Sequence, residues 1–123
     1  MTEILHKQLS DVVVKAAFTV HLKLGPGLNE VLYKRALAIE LEVQGAAVKQ
    51  EKRYTVFYRE RLIGNYFADV VVDNVIIIET KAVKTLNEPM NAQIRNYLRI
   101  SGLRVGYLFN FFGTQLQFKR LVV

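Results

Sequence analysis

The chain has 123 residues and no cysteine, and its 17 Lys and Arg residues against 11 Asp and Glu give a formal net charge of +6. The length supports a single domain spanning residues 1–123, and the missing thiols exclude disulfides, thiolate chemistry and cysteine-ligated zinc. A hydrophobic fraction of 51% excludes a disordered chain, and no apolar run approaches the ~20 residues that cross a bilayer. No signal peptide is visible, so we expect a cytoplasmic protein without a membrane partner, and the positive balance allows a polyanion as its partner.

Two helices are predicted at the start of the chain. Apolar residues recur at spacings of three and four from Leu5 to Leu24, and the turn Gly25-Pro26-Gly27 ends this pattern. A second helix is predicted from Leu28 to Gln44, before Gly45. Its core stripe is expected at Leu28, Val31, Leu32, Ala36, Ile39 and Val43.

The pattern then changes to strands. Three are predicted at Val48–Arg59, Leu62–Val72 and Val75–Ala82, with a turn at Glu60-Arg61. The second and third contain unbroken β-branched runs, which are typical of strands covered on both faces. We therefore expect a central sheet between layers of helices.

A third helix and two more strands complete the chain. The helix is predicted at Glu88–Ser101, with Asn87 as its N-cap and a buried stripe at Met90, Ile94, Tyr97 and Leu98. The last strands are predicted at Arg104–Phe111 and Gln115–Val122. The order α-α-β-β-β-α-β-β indicates an α/β protein in which a helix crosses over a mixed sheet.

Three charged residues interrupt the apolar strands, namely Asp69, Glu79 and Lys81. If Asp73-Asn74 forms a two-residue turn, Asp69 and Glu79 point to opposite faces of the sheet. If residues 72–74 form a three-residue loop, all three charged residues share one face, and the two acids are diagonal neighbours roughly 7–8 Å apart. We favour the loop, because Asn74 would adopt its left-handed conformation more readily than a valine.

Two carboxylates and an ammonium group on one face suit phosphodiester hydrolysis. Hard oxygen ligands hold Mg²⁺, which neutralises charge on phosphate oxygens and lowers the pKa of bound water. The alternative is a buried ion pair that only holds the strands together. We favour the hydrolytic site because three such groups converge, and Lys81 would orient water or stabilise the transition state.

These residues resemble the signature of the PD-(D/E)xK nuclease superfamily. Asp69 is followed, after nine residues, by Glu79-Thr80-Lys81, although Ala68 stands where the signature has proline. The segment Gly27-Leu-Asn-Glu30-Val-Leu-Tyr33 matches the GxxExxY motif that names a bacterial and archaeal family of small proteins in this superfamily. Gln93-Ile-Arg-Asn-Tyr97 matches the QxxxY motif of helicase-associated nucleases in the same superfamily.

The resemblance implies a restriction-endonuclease-like fold with three layers, α/β/α, around a central mixed sheet. It also implies a Mg²⁺-dependent nuclease, with Mn²⁺ able to substitute, that cleaves nucleic acid and DNA in preference to RNA. By the same resemblance, Asp69, Glu79 and the backbone carbonyl of Thr80 would hold the metal, and Lys81 would be catalytic. Glu30 would complete the site directly or through a water.

The helical residues of the resemblance each have a plainer interpretation. Glu30 shares a stripe with Tyr33 and Leu37 and so can face the sheet, or it is a first-turn glutamate stabilised by the helix dipole. Gln93 and Tyr97 lie one above the other and suit hydrogen bonds to the site carboxylates or to a nucleic-acid backbone. Otherwise they form a helix face with one polar residue and a core tyrosine.

Basic residues around the motifs are candidates for backbone contact. Lys84, Arg95 and Arg99 follow the expected site and are best placed for nucleic-acid binding. A basic and aromatic segment at residues 49–66 either contacts nucleic acid or is a solvated hairpin. Two other functions stay open: a catalytically silent nucleic-acid-binding module, and an assembly subunit, either a homodimer or bound to a partner protein, that uses an apolar edge at Leu121-Val122-Val123.

Overall fold

The computed structural model describes residues 5–123. Residues 1–4, on which the expectation of no signal peptide rests, lie outside that part. Three helices form, α1 at Lys7–Leu24, α2 at Glu30–Val43 and α3 at Glu88–Ser101, so the three predicted helices are confirmed with small changes at their ends. Within residues 5–123, none of these helices is long and apolar enough to cross a membrane.

Five strands form one mixed sheet, and their order in space follows their order in the chain. They are β1 at Val48–Tyr58, β2 at Arg61–Val72, β3 at Ile76–Lys81, β4 at Val105–Asn110 and β5 at Gln117–Val122. All neighbours are antiparallel except β3 and β4, which run parallel and are joined by α3. The predicted mixed sheet with a helix crossover is therefore confirmed.

The sheet lies between two helical layers, each with its own core. On one face, residues of α1 and α2, including Val13 and Leu37, pack with Val70 and Ile78 of the sheet. On the other face, Ile94 and Leu98 of α3 pack with Ile77 and Leu108. The central strands are thus covered on both sides, as their unbroken β-branched runs predict.

The predicted core stripe of α2 is wrong. Its residues Leu28, Val31, Leu32, Ile39 and Val43 are between 38% and 75% exposed. The buried side chains are Tyr33, Leu37, Ala38 and Leu41. Apolar residues occupy both sides of this helix, so periodicity alone does not decide which side meets the sheet. The side that is buried is the one that also carries Glu30.

The two tight connections of the sheet are shifted by one residue from their predicted positions. Residues Asp73-Asn74-Val75 form the connection between β2 and β3, which confirms a three-residue loop, although Val72 remains in the strand and pairs with Ile76. Asp73 and Asn74 have φ of 50° and 57°, and the Asp73 carboxylate accepts a hydrogen bond of 2.7 Å from the Ala47 amide. The turn between β1 and β2 is Arg59-Glu60 rather than Glu60-Arg61, because Tyr58 pairs with Arg61.

Candidate active site

The candidate site lies where β2 and β3 separate. These strands pair only from Val70 opposite Ile78 to Val72 opposite Ile76. Asp69 and Glu79 are the next residues on the two strands, so the register places them directly opposite each other rather than diagonally. A directly opposite pair has its Cβ atoms closer than a diagonal pair, which brings the two carboxylates together.

The alternation of β2 breaks at Asp69. Tyr66 and Ala68 face α3, and so does Val71, whereas Val70 faces α1 and α2. In the register of β1 and β2, Glu51 lies opposite Asp69, but the two residues do not form a backbone pair. Glu51 has a φ of 51°. This local irregularity turns the strand, so Tyr66 comes to the same side of the sheet as the site.

Glu79 is the most buried of the candidate residues, with 8% of its surface exposed. Its Oε1 accepts a hydrogen bond of 3.1 Å from the Tyr66 hydroxyl. Removal from water, followed by the charge of Asp69 and hydrogen bonding with it, raises the pKa of Glu79 to about 8. Burial and the contact with the Asp69 carboxylate therefore favour a proton on Glu79.

Asp69 is half-buried and is held by the backbone of the opposite strand. Its Oδ2 accepts a hydrogen bond of 3.1 Å from the Thr80 amide and another of 3.3 Å from the Thr80 hydroxyl. These bonds bridge the fork between β2 and β3 beyond the last backbone pair. The Asp69 carboxylate is thereby fixed beside Glu79.

Lys81 and Glu30 bring a second pair of opposite charges to this region. Partial burial raises the pKa of the Glu30 carboxyl, the Lys81 charge lowers it and the Asp69 charge raises it, which puts Glu30 within electrostatic reach of both strands. No group of three His, Cys, Asp or Glu side chains within residues 5–123 is placed to hold a metal ion together. A direct ligand role for Glu30 stays a prediction, and the contact that the structure describes is electrostatic.

Tyr33 holds the start of α2, which carries Glu30, by hydrogen bonds to the preceding loop. The buried Tyr33 hydroxyl donates a hydrogen bond of 2.6 Å to the Gly25 carbonyl and accepts one of 3.1 Å from the Leu28 amide. Its ring stacks on Phe111, with ring centroids 4.7 Å apart. Gly27 has a φ of 104°, a conformation that side chains other than glycine rarely adopt. The glycine, the glutamate and the tyrosine of the motif thus shape one loop and the helix that it introduces.

Helix α3 contributes Tyr97 and Gln93 to the opposite wall. The Tyr97 ring stacks on the Tyr66 ring, with centroids 3.5 Å apart. Partial burial and the charges of Glu79 and Asp69 raise the pKa of the Tyr97 hydroxyl, while a hydrogen bond with the Gln93 side chain lowers it. Tyr97 therefore lies within electrostatic reach of the carboxylates, and Gln93 contacts Tyr97. Their role in the site stays a prediction.

The three predicted nucleic-acid-binding residues lie outside this cluster. Arg95 is paired with Glu88 at 2.8 Å, and Arg99 donates a hydrogen bond of 3.3 Å to Asn96, both on α3. Lys84 is exposed in the segment that follows β3. That segment is anchored by the buried Asn110, whose side chain accepts from the Val83 amide at 3.0 Å and donates to the Val83 carbonyl at 2.8 Å.

Sequence reasoning missed three residues that shape the site. Sequence analysis assigns Tyr66 no role at the carboxylates, because regular alternation of β2 would place it on the face opposite Asp69. Sequence analysis also assigns no role to Asn110 or to the hydrogen bonds that the Tyr33 hydroxyl makes with Gly25 and Leu28. A buried amide in a strand of apolar residues is the signal that would have indicated Asn110.

The donor set fits a hard divalent cation. Asp69 and Glu79 provide carboxylate oxygens, and the Thr80 backbone is already placed at Asp69 by its amide. Burial and the neighbouring Asp69 raise the pKa of Glu79, and a divalent cation bound between the two carboxylates would offset this repulsion.

Comparisons with known proteins identify the fold and the superfamily of the chain. The crystal structure of a protein named SSO0001 superposes with a TM-score of 0.53 at 14% sequence identity, covering 93% of this chain and 77% of that one, which shows a shared fold. No curated protein matches the sequence at a significant level. The sequence pattern of the PD-(D/E)XK nuclease superfamily matches residues 7–121. The predicted restriction-endonuclease-like α/β fold is thus confirmed, and the chain belongs to the PD-(D/E)XK nuclease superfamily.

Proposed function

We propose that this protein is a Mg²⁺-dependent nuclease that hydrolyses phosphodiester bonds of DNA, and that it falls within the GxxExxY group of the superfamily. The observation that carries the proposal is the contact between the Asp69 and Glu79 carboxylates, in a chain of a nuclease superfamily. A buried carboxylate pair that only stabilised the fold would need a positive partner in contact with it. The hydrogen bonds described above come instead from Tyr66 and Thr80.

Asp69, Glu79 and the Thr80 backbone carbonyl would hold the ion. Mg²⁺, or Mn²⁺ in its place, would neutralise the scissile phosphate and acidify a water molecule. The chain's own part is to hold its ligands in place before the substrate arrives. Tyr66 fixes one oxygen of Glu79, and Thr80 fixes one oxygen of Asp69, so both carboxylates are oriented by neighbouring groups.

Lys81 is the proposed catalytic residue. Its charge is close enough to Glu79 and Glu30 to lower the pKa of both. An ammonium group beside the carboxylates would bind a phosphate oxygen or orient the attacking water, and it would stabilise the charge that develops in the transition state. Glu30 would keep this ammonium group directed toward the site, acting directly or through water.

The remaining predicted residues would position the substrate. Tyr97 lies near the carboxylates and Gln93 is hydrogen-bonded to it, so the two would offer a hydroxyl and an amide to the nucleic-acid backbone. Lys84 and Arg99 are exposed and would contact phosphates on either side of the cleavage point. Arg95 would do so only if it left Glu88, so we expect it to contribute least of the three.

Cleavage assays on labelled single-stranded and duplex DNA, with Mg²⁺, Mn²⁺ or EDTA, test the proposal. The wild-type protein should cleave with either metal and not in EDTA, and Asp69→Asn and Lys81→Met should each lower cleavage by at least a hundredfold while binding persists. Glu42→Gln, an exposed carboxylate on α2, is the matched control and should cleave like the wild type. Binding of DNA without cleavage under all these conditions would instead favour a silent binding module.

A further inference from the structure

The structure contains a second surface whose chemistry suits nucleic acid, formed by the outer part of the β1–β2 hairpin. We call residues 52–68 the hairpin arm; it runs from the pair Lys52 and Ala68 to the turn at Arg59-Glu60. Along this length β2 pairs with β1 alone, because its pairing with β3 begins at Val70. The arm therefore extends beyond the three-stranded part of the sheet.

The arm is apolar at its base and at its tip, but only the base is covered. Tyr54, Val56 and Tyr66 pack against the core under α3. Toward the tip, Phe57 is 59% exposed, Leu62 is 61% exposed and Tyr58 is 64% exposed. Such a concentration of exposed apolar surface marks an interaction site more often than a free surface.

Charge identifies the kind of partner. The arm has four basic residues, Lys52, Arg53, Arg59 and Arg61, and one acidic residue, Glu60, so its net charge is +3. Lys52 already lies over the Tyr54 ring, 5.1 Å from its centroid, and Arg59 lies 5.9 Å from the Tyr58 centroid. Cationic groups interleaved with exposed aromatic rings complement a polyanion that carries flat bases.

The arm is continuous with the candidate active site. Asp69 follows Ala68 directly on β2, and Tyr66 within the arm donates to Glu79. Nucleic acid bound along the face of the arm away from α3 would therefore reach the part of β2 that carries Asp69.

We infer that the hairpin arm binds single-stranded nucleic acid on its face away from α3. Phe57 and Phe67 would stack on bases there and Arg53 would contact a phosphate, since these three residues alternate along the strands with Val56, Tyr66 and Tyr54, which face α3. The inference deepens the proposed function, because it names the form of substrate that the same site receives. Single-stranded nucleic acid is favoured over duplex because exposed aromatic rings stack only on bases that are not already stacked in a helix.

Fluorescence anisotropy with a labelled oligothymidylate of about 15 nucleotides, in EDTA so that no hydrolysis occurs, tests the inference. Phe57→Ala and Phe67→Ala should each weaken binding by about fivefold or more, the loss expected for one stacked base. Arg53→Gln should weaken binding and reduce the slope of log affinity against log salt by about 0.7, the value for one phosphate contact on a single strand.

Two control variants lie away from the arm. Leu22→Ala removes an apolar side chain on α1 that is 85% exposed, and Lys119→Gln removes one charge on β5, at the opposite edge of the sheet. Both should bind the oligonucleotide like the wild type, and circular dichroism should show that every variant is folded.

The outcomes separate this inference from the proposed nuclease activity. If the arm variants weaken binding but the wild-type protein cleaves no substrate, the result supports nucleic-acid binding by the arm and contradicts the proposed nuclease activity. If the wild-type protein cleaves DNA but the arm variants bind the oligonucleotide as tightly as the wild type, only the inference about the arm is overturned. Equal affinity for a matched duplex, or a homodimer that Phe57→Ala dissociates, also overturns the inference, since the arm would then serve a different partner.

Discussion

The Tyr66 hydroxyl donates a hydrogen bond of 3.1 Å to Oε1 of Glu79, across the fork where β2 and β3 separate. Burial, followed by the charge of Glu79, raises the pKa of Tyr66, so the phenol keeps its proton and stays a donor. The Tyr66 ring is held between Tyr54, with centroids 5.9 Å apart, and Tyr97. The hydroxyl therefore has little freedom, and the Glu79 carboxylate is oriented by a rigid group.

Replacing Tyr66 with Phe tests this relationship. Without the hydroxyl, one oxygen of a buried carboxylate loses its partner, and Glu79 is free to rotate away from Asp69. We expect cleavage to fall by about tenfold and the Mg²⁺ concentration for half-maximal activity to rise, because a hydrogen bond to a charged group contributes about 1.5–3 kcal/mol. The measurement is activity against Mg²⁺ concentration, which a purely structural role would leave unshifted.

Tyr54→Phe is the matched control for that substitution. The Tyr54 hydroxyl is buried and has no hydrogen-bond partner within residues 5–123. Its removal should leave the Mg²⁺ dependence unchanged and keep the melting temperature the same or raise it slightly, because an unpartnered buried polar atom is unfavourable. Equal losses of activity in the two variants would contradict a specific role for Tyr66.

The raised pKa of Glu79 predicts how stability depends on pH. In the folded, metal-free protein the pKa is about 8 against an ordinary value of 4.5, so between these values the native state binds more protons than the unfolded state. The free energy of unfolding should therefore fall as pH rises from about 5 to 8, by on the order of 3 kcal/mol. Urea unfolding in EDTA at several pH values measures this slope.

Glu79→Gln should flatten that dependence and make the metal-free protein more stable than the wild type at pH 8, since no charge has to be buried. Mg²⁺ should stabilise the wild type at pH 8 and have no comparable effect on the variant. If the free energy of unfolding of the wild type in EDTA does not change over this pH range, the burial of Glu79 beside Asp69 does not raise its pKa as described.

The fold could be predicted from the sequence because its signals were local and redundant. Helix α3 has a capping side chain, with Asn87 accepting a bond of 3.1 Å from the Met90 amide, and the left-handed Gly102 at its end. The unbroken runs of β2 and β3 had only one arrangement that buries both faces. For these elements, composition and spacing led to the same structure.

The convergence of Asp69 and Glu79 was predictable from the sequence, but the geometry around them was not. The acids share a face because the loop at residues 73–75 has three residues, and Asn74 in the left-handed conformation indicated this length. The break in alternation at Asp69 depends on its position opposite Glu51, a residue with positive φ that also pairs with Lys34 of α2. That tertiary contact has no signal in the sequence of β2, which is why Tyr66 was missed.

The two sides of α2 give a further test, because sequence and structure disagree there. Leu37 is completely buried, whereas Ile39 is 63% exposed. Leu37→Ala should lower the free energy of unfolding by about 2–5 kcal/mol, the usual range for a truncation that leaves a cavity, and Ile39→Ala should change it by less than about 1 kcal/mol. Chemical denaturation of the two variants compares the faces directly, and a larger loss for Ile39→Ala would reinstate the stripe expected from the sequence.

Gly106 on β4 lies directly beneath Ile94 and Leu98 of α3. A Cβ atom added there would lie 2.8 Å from Cγ2 of Ile94 and 3.2 Å from Cδ1 of Leu98. Because Ile94 is β-branched and both side chains are buried, the contact can be relieved only by moving the helix, so Gly106→Ala should destabilise the protein by about 1–3 kcal/mol. Gly64→Ala is the control, since no atom lies within 4 Å of its added Cβ.

A shift of α3 would also displace Tyr97 from Tyr66. We therefore expect Gly106→Ala to lower nuclease activity more than its loss of stability explains, measured at a temperature where both variants are fully folded.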